Sequence, residues 1–146
     1  MGVRFVVGAD DEGDAADAAI DELRRRGHEV EVLDRDQWPD VAGRVAQAVA
    51  AGEADQGLLF CWTGTGTSIA ANKVRGVRAA LAWEPWIAEG ARLWNDANVL
   101  VMSLKRVSPE TALEILDAWF KAEKPDESEA ANIRRVSEIE REHMSS

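Results

Sequence analysis

The sequence predicts an α/β fold, a three-layer sandwich in which a five-stranded parallel, Rossmann-like sheet lies between two layers of helices. Five short apolar segments, typical of strands, alternate with longer segments whose apolar residues recur three or four positions apart. Strands that alternate with helices pair in parallel through right-handed crossovers, so helices cover both faces of the sheet. Residues 57–61 are apolar throughout, as expected of a strand that is buried on both faces.

The boundaries of the elements come from the residues that begin and end each pattern. Gly27 and Gly52 end the first two helical patterns, since glycine commonly follows the last helical residue. Ser108 is expected to cap a later helix that has Pro109 in its first turn. In chain order the pattern predicts a strand at 3–7, a helix at 14–26, a strand at 30–33, a helix at 41–51, a strand at 57–61, a helix at 68–73, a strand at 78–82, a helix at 85–93, a strand at 98–102 and a helix at 109–120.

The end of the chain has a different character. Residues 121–131 are polar, and beyond them Ile133, Val136 and Ile139 share one side of an otherwise charged helix. A helix this short and polar is not stable alone, so it must pack on the body of the chain or on a partner subunit. We expect a single domain over residues 1–146, with an α/β core at 1–121 and a linker and C-terminal helix at 122–146.

Composition excludes several classes of function. The chain has 17 basic and 27 acidic residues, a net charge of −10, which argues against nucleic acid or an anionic membrane as the main partner. The lone Cys61 excludes an internal disulfide and fits a reducing cytosol, and His28 and His143 are too isolated to predict a metal site. No apolar run reaches the roughly 20 residues of a membrane span, so a cytoplasmic location is expected. His28 is expected to be a solvated turn residue.

A ligand is expected at the carboxyl ends of the strands, where open parallel sheets bind their substrates. The sharpest signal there is Cys-Trp-Thr-Gly-Thr-Gly-Thr-Ser at residues 61–68, a strand that leads through a glycine loop into a helix. The glycines let backbone N–H groups turn toward an anion, but the loop lacks the lysine of a Walker A motif and the third glycine of a dinucleotide fingerprint. Two interpretations stay open from these residues alone. The loop is an anion site or a tight packing turn, and Cys61 is a thiolate base or a buried core residue.

A longer stretch carries a family resemblance. Cys-Trp-Thr-Gly-Thr-Gly-Thr-Ser-Ile-Ala-Ala-Asn-Lys-Val at residues 61–74 resembles the loop C-G-T-G-x-G-x-S-I-A-A-N-K of the type B ribose-5-phosphate isomerases and their galactose-6-phosphate isomerase relatives. Gly-Val-Arg-Ala-Ala at 76–80, Trp-Asn-Asp-Ala-Asn-Val-Leu at 94–100 and Trp-Pro-Asp at 38–40 agree with the same family. The resemblance extends over residues 3–121 and more loosely into the tail.

The resemblance implies an aldose–ketose isomerase that works on a small phosphorylated sugar of the ribose 5-phosphate type, through a cis-enediolate and without metal or cofactor. Cys61 matches the catalytic base of one subgroup, and Thr67 stands where the other subgroup has a glutamate base. Thr63 matches a hydroxyl that moves protons between the two substrate oxygens, and Asn95 matches a side chain that stabilises the enediolate. The substrate-binding residues that the resemblance implies are Asp10, Asp11, Trp38, Trp62, Gly64, Gly66, Thr67, Ser68, Trp94, Lys105 and Arg135.

Several positions depart from the family pattern, among them Trp38, where the family usually has tyrosine. Trp62 replaces a glycine, so the local backbone or the pocket shape must differ. Trp94 replaces the histidine that opens the sugar ring, a task that indole cannot perform because its N–H only donates. Asp11 replaces a phosphate-facing histidine. Of two phosphate-binding arginines in the tail, Arg135 has a counterpart and the other aligns with Ala131.

These departures leave several substrates and partners open. A tetrulose phosphate such as erythrulose 4-phosphate needs no ring-opening histidine, and a pentose phosphate fits the breadth of the family. A sugar-like ligand without phosphate and a non-catalytic subunit are further alternatives. The family implies a homodimer or homotetramer with shared active sites, in which the tail helix docks on a neighbour and residues near Asn95 and Lys105 serve the neighbour's pocket.

Overall fold

A single parallel sheet organises the chain, for which the computed structural model describes residues 2–144. Its strands are β1 (Arg4–Ala9), β2 (Glu29–Val32), β3 (Gln56–Cys61), β4 (Ala79–Leu81) and β5 (Val99–Ser103), in the order β2-β1-β3-β5-β4. The helices of the described residues are α1 (Asp14–Arg25), α2 (Trp38–Ala50), α3 (Thr65–Ala71), α4 (Pro85–Asn95), α5 (Pro109–Lys121) and α6 (Ala130–His143), the last preceded by a 3₁₀ turn (Glu127–Glu129).

Every strand pair in the sheet is parallel, as the alternation predicted. Alternate residues of the inner strands bury their side chains in two separate cores. Phe60 points into the core that α1, α4 and α5 cover, whereas Leu59 points into the core under α2 and α3. The predicted α/β three-layer sandwich is therefore confirmed.

The larger core is anchored by Trp119 of α5. Its side chain is 1% exposed, and its indole N–H donates to Gln56 Oε1 at 2.8 Å. A buried indole keeps its N–H satisfied in this way, while the transfer of a large apolar side chain from water contributes about 1.5–3 kcal/mol. Trp119 therefore joins α5 to the amino end of β3.

Two helices begin earlier than the sequence pattern predicted. The structure starts α2 at Trp38 instead of residue 41, with proline in the first turn, and α3 at Thr65 instead of residue 68. Ser108 caps α5 as expected, because its hydroxyl accepts a hydrogen bond from the N–H of Thr111 at 3.1 Å. The early starts move Trp38 and Thr67 out of the predicted loops and onto helices.

His28 is half-buried, so the prediction of a solvated turn residue is wrong. The N–H of Val3 donates to its Nδ1 at 2.9 Å, and its ring stacks on Phe120 with 4.7 Å between ring centroids. Burial lowers the pKa of His28 below its ordinary value, and the charge of Arg26 acts in the same direction. A neutral imidazole therefore accepts a backbone hydrogen bond and packs against an aromatic ring.

The C-terminal helix α6 lies across the amino end of β4. Glu140 of α6 accepts a hydrogen bond from the N–H of Gly76 at 2.9 Å, and a groove of about 440 Å³ separates the helix from Val77 and its neighbours. Val136 and Ile139 line this groove but remain 51% and 45% exposed. The helix thus packs on its own chain and leaves apolar side chains partly uncovered. No helix among residues 2–144 is both long and apolar enough to cross a lipid bilayer.

Candidate active site

The candidate site lies where β1 and β3 end. In the register of this pair Ala9 faces Phe60, so Asp10 lies beside Cys61. Both side chains project toward the layer of α2 and α3, because side chains alternate along a strand and Leu59, two residues before Cys61, is buried under these helices. A thiol and a carboxylate are thereby placed together at the carboxyl edge of the sheet.

Polar groups surround the sulfur of Cys61. The N–H of Gly64 donates to Sγ at 3.2 Å, and the hydroxyl of Thr67 lies 3.2 Å from the same atom. Cys61 is 5% exposed and Thr67 is fully buried. The hydroxyl of Thr67 also donates to the carbonyl oxygen of Gly64 at 3.3 Å. The Cys61 sulfur therefore contacts polar groups of the glycine loop and is not packed in hydrocarbon alone.

The backbone at Gly64 makes this contact, and its conformation requires glycine. Gly64 has φ of 83°, in the left-handed region. A Cβ at this position would lie 2.5 Å from Leu81 Cδ1 and 3.3 Å from the carbonyl carbon of Met102. The loop therefore folds tightly against β4 and β5, which turns the Gly64 N–H back toward Cys61.

Trp38 packs against the second glycine of the loop. A Cβ on Gly66 would lie 2.9 Å from the nearest ring atom of Trp38, so the indole rests directly on the Gly66 backbone. Trp38 remains 43% exposed. The first residue of α2 thus forms an apolar wall beside the glycine loop.

Asp10 has a buried oxygen that lacks a partner. Within residues 2–144 no group hydrogen-bonds to its Oδ1, and burial raises the pKa of this carboxyl above its ordinary value. An unsatisfied buried acceptor costs about 1–3 kcal/mol. A ligand hydroxyl that donates to Oδ1 would recover this cost, in agreement with the sugar-binding role that the resemblance implies.

Trp62 turns away from Cys61 and toward the loop after β1. Its indole N–H donates to Asp11 Oδ2 at 2.9 Å, and the ammonium of Lys105 lies 4.7 Å from the centre of its ring. The hydrogen bond from Trp62 holds the pKa of Asp11 below its ordinary value, and Lys105 acts in the same direction. Within residues 2–144 the one non-glycine residue with a left-handed φ is Asp96, so Trp62 does not adopt the backbone conformation that favours glycine.

The hydroxyl-bearing residues of the loop stabilise its turn. Thr63 Oγ1 lies 2.7 Å from Thr65 Oγ1 and accepts a hydrogen bond from the Thr65 N–H at 3.3 Å, and both side chains are exposed. The N–H of Ser68 donates to the carbonyl of Gly64 at 3.2 Å. Thr63 is therefore held at the open side of the loop, where a ligand can reach its hydroxyl.

The sequence argument missed Ser103. Its hydroxyl donates to the carbonyl oxygen of Trp62 at 2.5 Å and accepts from the N–H of Arg106 at 3.1 Å. Ser103 pairs with Cys61 in the sheet register. The sequence signal that could have identified Ser103 is a polar residue at the carboxyl end of an otherwise apolar strand.

Trp94, Asn95 and Arg135 do not reach Cys61 within one chain. The N–H of Gly57 donates to the carbonyl of Asn98, so the chain just after α4 is level with the start of β3. The six residues of β3 separate that level from Cys61 by about 17 Å.

The side chains of Trp94 and Arg135 contact residues of their own helices, α4 and α6. Trp94 packs edge-on against Trp86, with 5.7 Å between ring centroids. Arg135 binds Glu138 at 3.2 Å and Glu142 at 2.9 Å.

A cavity of about 400 Å³ opens at the same edge as Cys61 but on the side of α1. Asp11, Asp17, Asp34 and Arg35 are among its lining residues, and Cys61 is not. The thiol therefore lies outside this acidic cavity, beside the glycine loop.

Comparison with known proteins places this chain in the class of α/β isomerases. Residues 5–139 match the family model described as Ribose/Galactose Isomerase. The chain belongs to this family and is an aldose–ketose isomerase. The family that the loop at residues 61–74 resembled is therefore confirmed.

Similar proteins cover most of the chain. It is 42% identical over 118 residues to ribose-5-phosphate isomerase B of Escherichia coli, an alignment that spans 76% of this chain and 79% of that one. It is 38% identical over 103 residues to D-erythrulose-4-phosphate isomerase of Pectobacterium atrosepticum, with 70% and 68% covered. The structure of ribose-5-phosphate isomerase B from Clostridium thermocellum superposes with a TM-score of 0.90 and 37% identity, with 96% and 99% covered.

Replacement of Gly64 tests whether the loop depends on its left-handed backbone. Gly64→Ala is expected to lower the free energy of unfolding by about 1–3 kcal/mol, because alanine is strained at this φ and meets Leu81. Denaturant titration measures the change. Gly43→Ala is the matched control, since Gly43 lies within α2 with no atom within 4 Å of an added Cβ, and should be neutral or stabilising. Equal stability of the two variants would contradict the requirement for glycine at position 64.

Proposed function

We propose that the chain interconverts the aldose and ketose forms of a small phosphorylated sugar, of the ribose 5-phosphate and ribulose 5-phosphate type, with Cys61 as the base. The observation that carries this proposal is the pairing of a donor-bound sulfur with a buried carboxylate oxygen that lacks a partner. Gly64 and Thr67 contact the Cys61 sulfur, and Asp10 lies beside it by strand register. The base and a sugar-hydroxyl acceptor are thereby adjacent.

The reaction needs one base and no external oxidant. The Cys61 thiolate removes a proton from the carbon next to the carbonyl, and the electron pair of that C–H bond forms the carbon–carbon double bond of a cis-enediolate. The thiol then returns the proton to the neighbouring carbon, while one hydroxyl proton moves between the two substrate oxygens. Thr63, whose hydroxyl is exposed beside the loop, carries that second proton.

Backbone amides stabilise the charge that develops on the enediolate. The left-handed Gly64 and the side-chain-free Gly66 let a ligand approach the main chain closely. Amide donors that are fixed before the reaction pay no reorganisation cost, and each contributes about 3–4 kcal/mol of transition-state stabilisation. Asn95 supplies a further donor from a second copy of the chain.

A second copy completes the site because Trp94, Asn95 and Arg135 lie at the opposite edge of the sheet from Cys61. Two copies related by a twofold axis would place the amino edge of each near the carboxyl edge of the other and form two equivalent shared sites. Surface exposure supports this arrangement, since Trp83 and Trp86 are each 61% exposed. We propose a homodimer, alone or paired into a homotetramer, in which α6 docks across the interface.

Erythrulose 4-phosphate is a second candidate substrate, favoured by Trp94. A four-carbon ketose phosphorylated at its terminal oxygen cannot close a furanose ring, so it needs no acid–base group to open one. Trp94 offers only an N–H donor and therefore suits a substrate that is already acyclic. The similar Pectobacterium protein is named for this substrate.

Replacement of Cys61 tests the proposed base. Cys61→Ala is expected to lower kcat by about 10²–10⁴-fold with either sugar phosphate, because the general base is lost. Coupled assays with ribose 5-phosphate and with erythrulose 4-phosphate measure the loss, and melting temperatures establish that the variant folds. A folded variant with unchanged kcat would contradict the proposal. In the wild type, faster turnover of the pentose would exclude the tetrose candidate, and faster turnover of the tetrose would select it.

Subunit complementation tests the shared site. Cys61→Ala and Asn95→Ala are each expected to be nearly inactive alone. Co-expression with two affinity tags yields heterodimers in which one site carries both changes and the other carries neither. Random mixing should therefore restore about a quarter of wild-type activity, and purified heterodimers about half. Inactive heterodimers that contain both tags would contradict the shared site.

A further inference from the structure

Trp62 connects three loops at the carboxyl edge of the sheet. Its indole N–H donates to Asp11 Oδ2 at 2.9 Å in the loop after β1, and its carbonyl accepts from the hydroxyl of Ser103 at 2.5 Å at the end of β5. The ammonium of Lys105, just after β5, lies 4.7 Å from the centre of the ring. The side chain is 56% exposed, so burial in a core does not explain a tryptophan at this position.

The contact between Lys105 and the ring differs from a salt bridge in the charge that it leaves available. An aromatic face attracts an ammonium through its quadrupole but carries no net charge. A carboxylate would also hold the ammonium and would cancel its charge. Within residues 2–144 this ammonium lies over the ring of Trp62. Lys105 is therefore held against a neutral ring, and although its charge lowers the pKa of nearby Asp11, no salt bridge within residues 2–144 occupies its ammonium.

Asp11 is the nearby carboxylate that would compete for Lys105, and both of its oxygens have other donors. Oδ2 accepts from the indole of Trp62, and Oδ1 accepts from the N–H of Glu12 at 2.8 Å. The indole thus binds the anion through its N–H edge and the cation through its face. This arrangement keeps Asp11 and Lys105 on separate parts of one side chain.

Lys105 also lies close to the proposed base along the backbone. The N–H of Leu104 donates to the carbonyl of Cys61 at 2.9 Å, and the N–H of Lys105 donates to the carbonyl of Trp62 at 3.3 Å. The chain carries a net charge of −10, which repels a phosphate dianion unless a local cation outweighs it. A lysine whose charge is not cancelled, next to the glycine loop, meets that need.

We propose that Trp62 is a positioning residue that holds the Lys105 ammonium as the binding group for the substrate's phosphate. The inference rests on the proposed function, because it names the part of the substrate that this edge of the site binds. Trp62, which stands where the family has glycine, thereby has a specific role. It orients a cation without neutralising it, and it keeps Asp11 from pairing with that cation.

A matched pair of variants separates the two contacts of the indole. Trp62→Gln keeps an N–H donor for Asp11 but removes the ring, whereas Trp62→Phe keeps a ring and removes the donor. Calorimetric titration with inorganic phosphate is combined with KM and kcat for the sugar phosphate that the wild type turns over faster. Trp62→Gln should weaken phosphate binding and raise KM by about three- to tenfold, with kcat within about twofold of wild type. Trp62→Phe should lose less phosphate affinity than Trp62→Gln.

Lys105→Met supplies the second half of the test. The double variant Trp62→Gln/Lys105→Met should bind phosphate no more weakly than Lys105→Met alone, since the ring has no task once the ammonium is gone. Lys121→Met removes an equal charge from the exposed end of α5 and should leave phosphate affinity and KM unchanged.

Three results would overturn the proposal. They are wild-type phosphate affinity in Trp62→Gln, losses that multiply in the double variant, and a fall in kcat with KM unchanged. Phosphate titration measures binding without turnover, so it tests the positioning role of Trp62 independently of the proposed isomerase function. A wild-type chain that binds phosphate through Lys105 and Trp62 but converts neither sugar phosphate would contradict the proposed function and support the positioning role.

Discussion

The parallel pairing of β1 with β3 sets the geometry on which the site depends. Its register places Ala9 opposite Phe60 and so brings Asp10 beside Cys61. A slip of one residue would turn one of these side chains to the other face of the sheet. The buried residues Val7 and Leu58 resist such a slip, because it would carry a whole row of apolar side chains out of its core. The same packing energy that stabilises the fold thus keeps a thiol and a carboxylate side by side at the ends of neighbouring strands.

At two places in the structure a tryptophan ring packs directly on a glycine. The ring of Trp38 lies on Gly66, and the ring of Trp94 lies on Gly90, where in each case a Cβ would come within 3 Å of the indole. Trp62, in contrast, contacts charged groups and leaves most of its surface exposed. Two of these indoles fill space over bare backbone, whereas the third organises charge. The difference follows from their neighbours and not from the residue type.

Sequence periodicity was sufficient for the strands, because their apolar runs are local patterns. It was not sufficient for the start of α2, where Trp38 and Pro39 form a helical first turn without an apolar pattern of their own. The burial of His28 was not predicted, because its stacking partner, Phe120, is distant in sequence. The unpaired Asp10 oxygen depends on strand register, which no local pattern reveals. The resemblance placed Asn95 and Lys105 together at a neighbour's pocket, but the structure separates them. The helix before β5 returns to the amino ends of the strands, which carries Asn95 away from Cys61, whereas Lys105 follows β5 and lies beside the loop of Cys61.

The account's central claim is that the Cys61 sulfur carries the proton along the sugar carbons. The most direct measurement follows hydrogen exchange by proton NMR in D₂O while the enzyme equilibrates a sugar phosphate. The account predicts that the wild type incorporates deuterium at the carbon beside the carbonyl and that folded Cys61→Ala does not. Exchange at the wild-type rate in Cys61→Ala would contradict it.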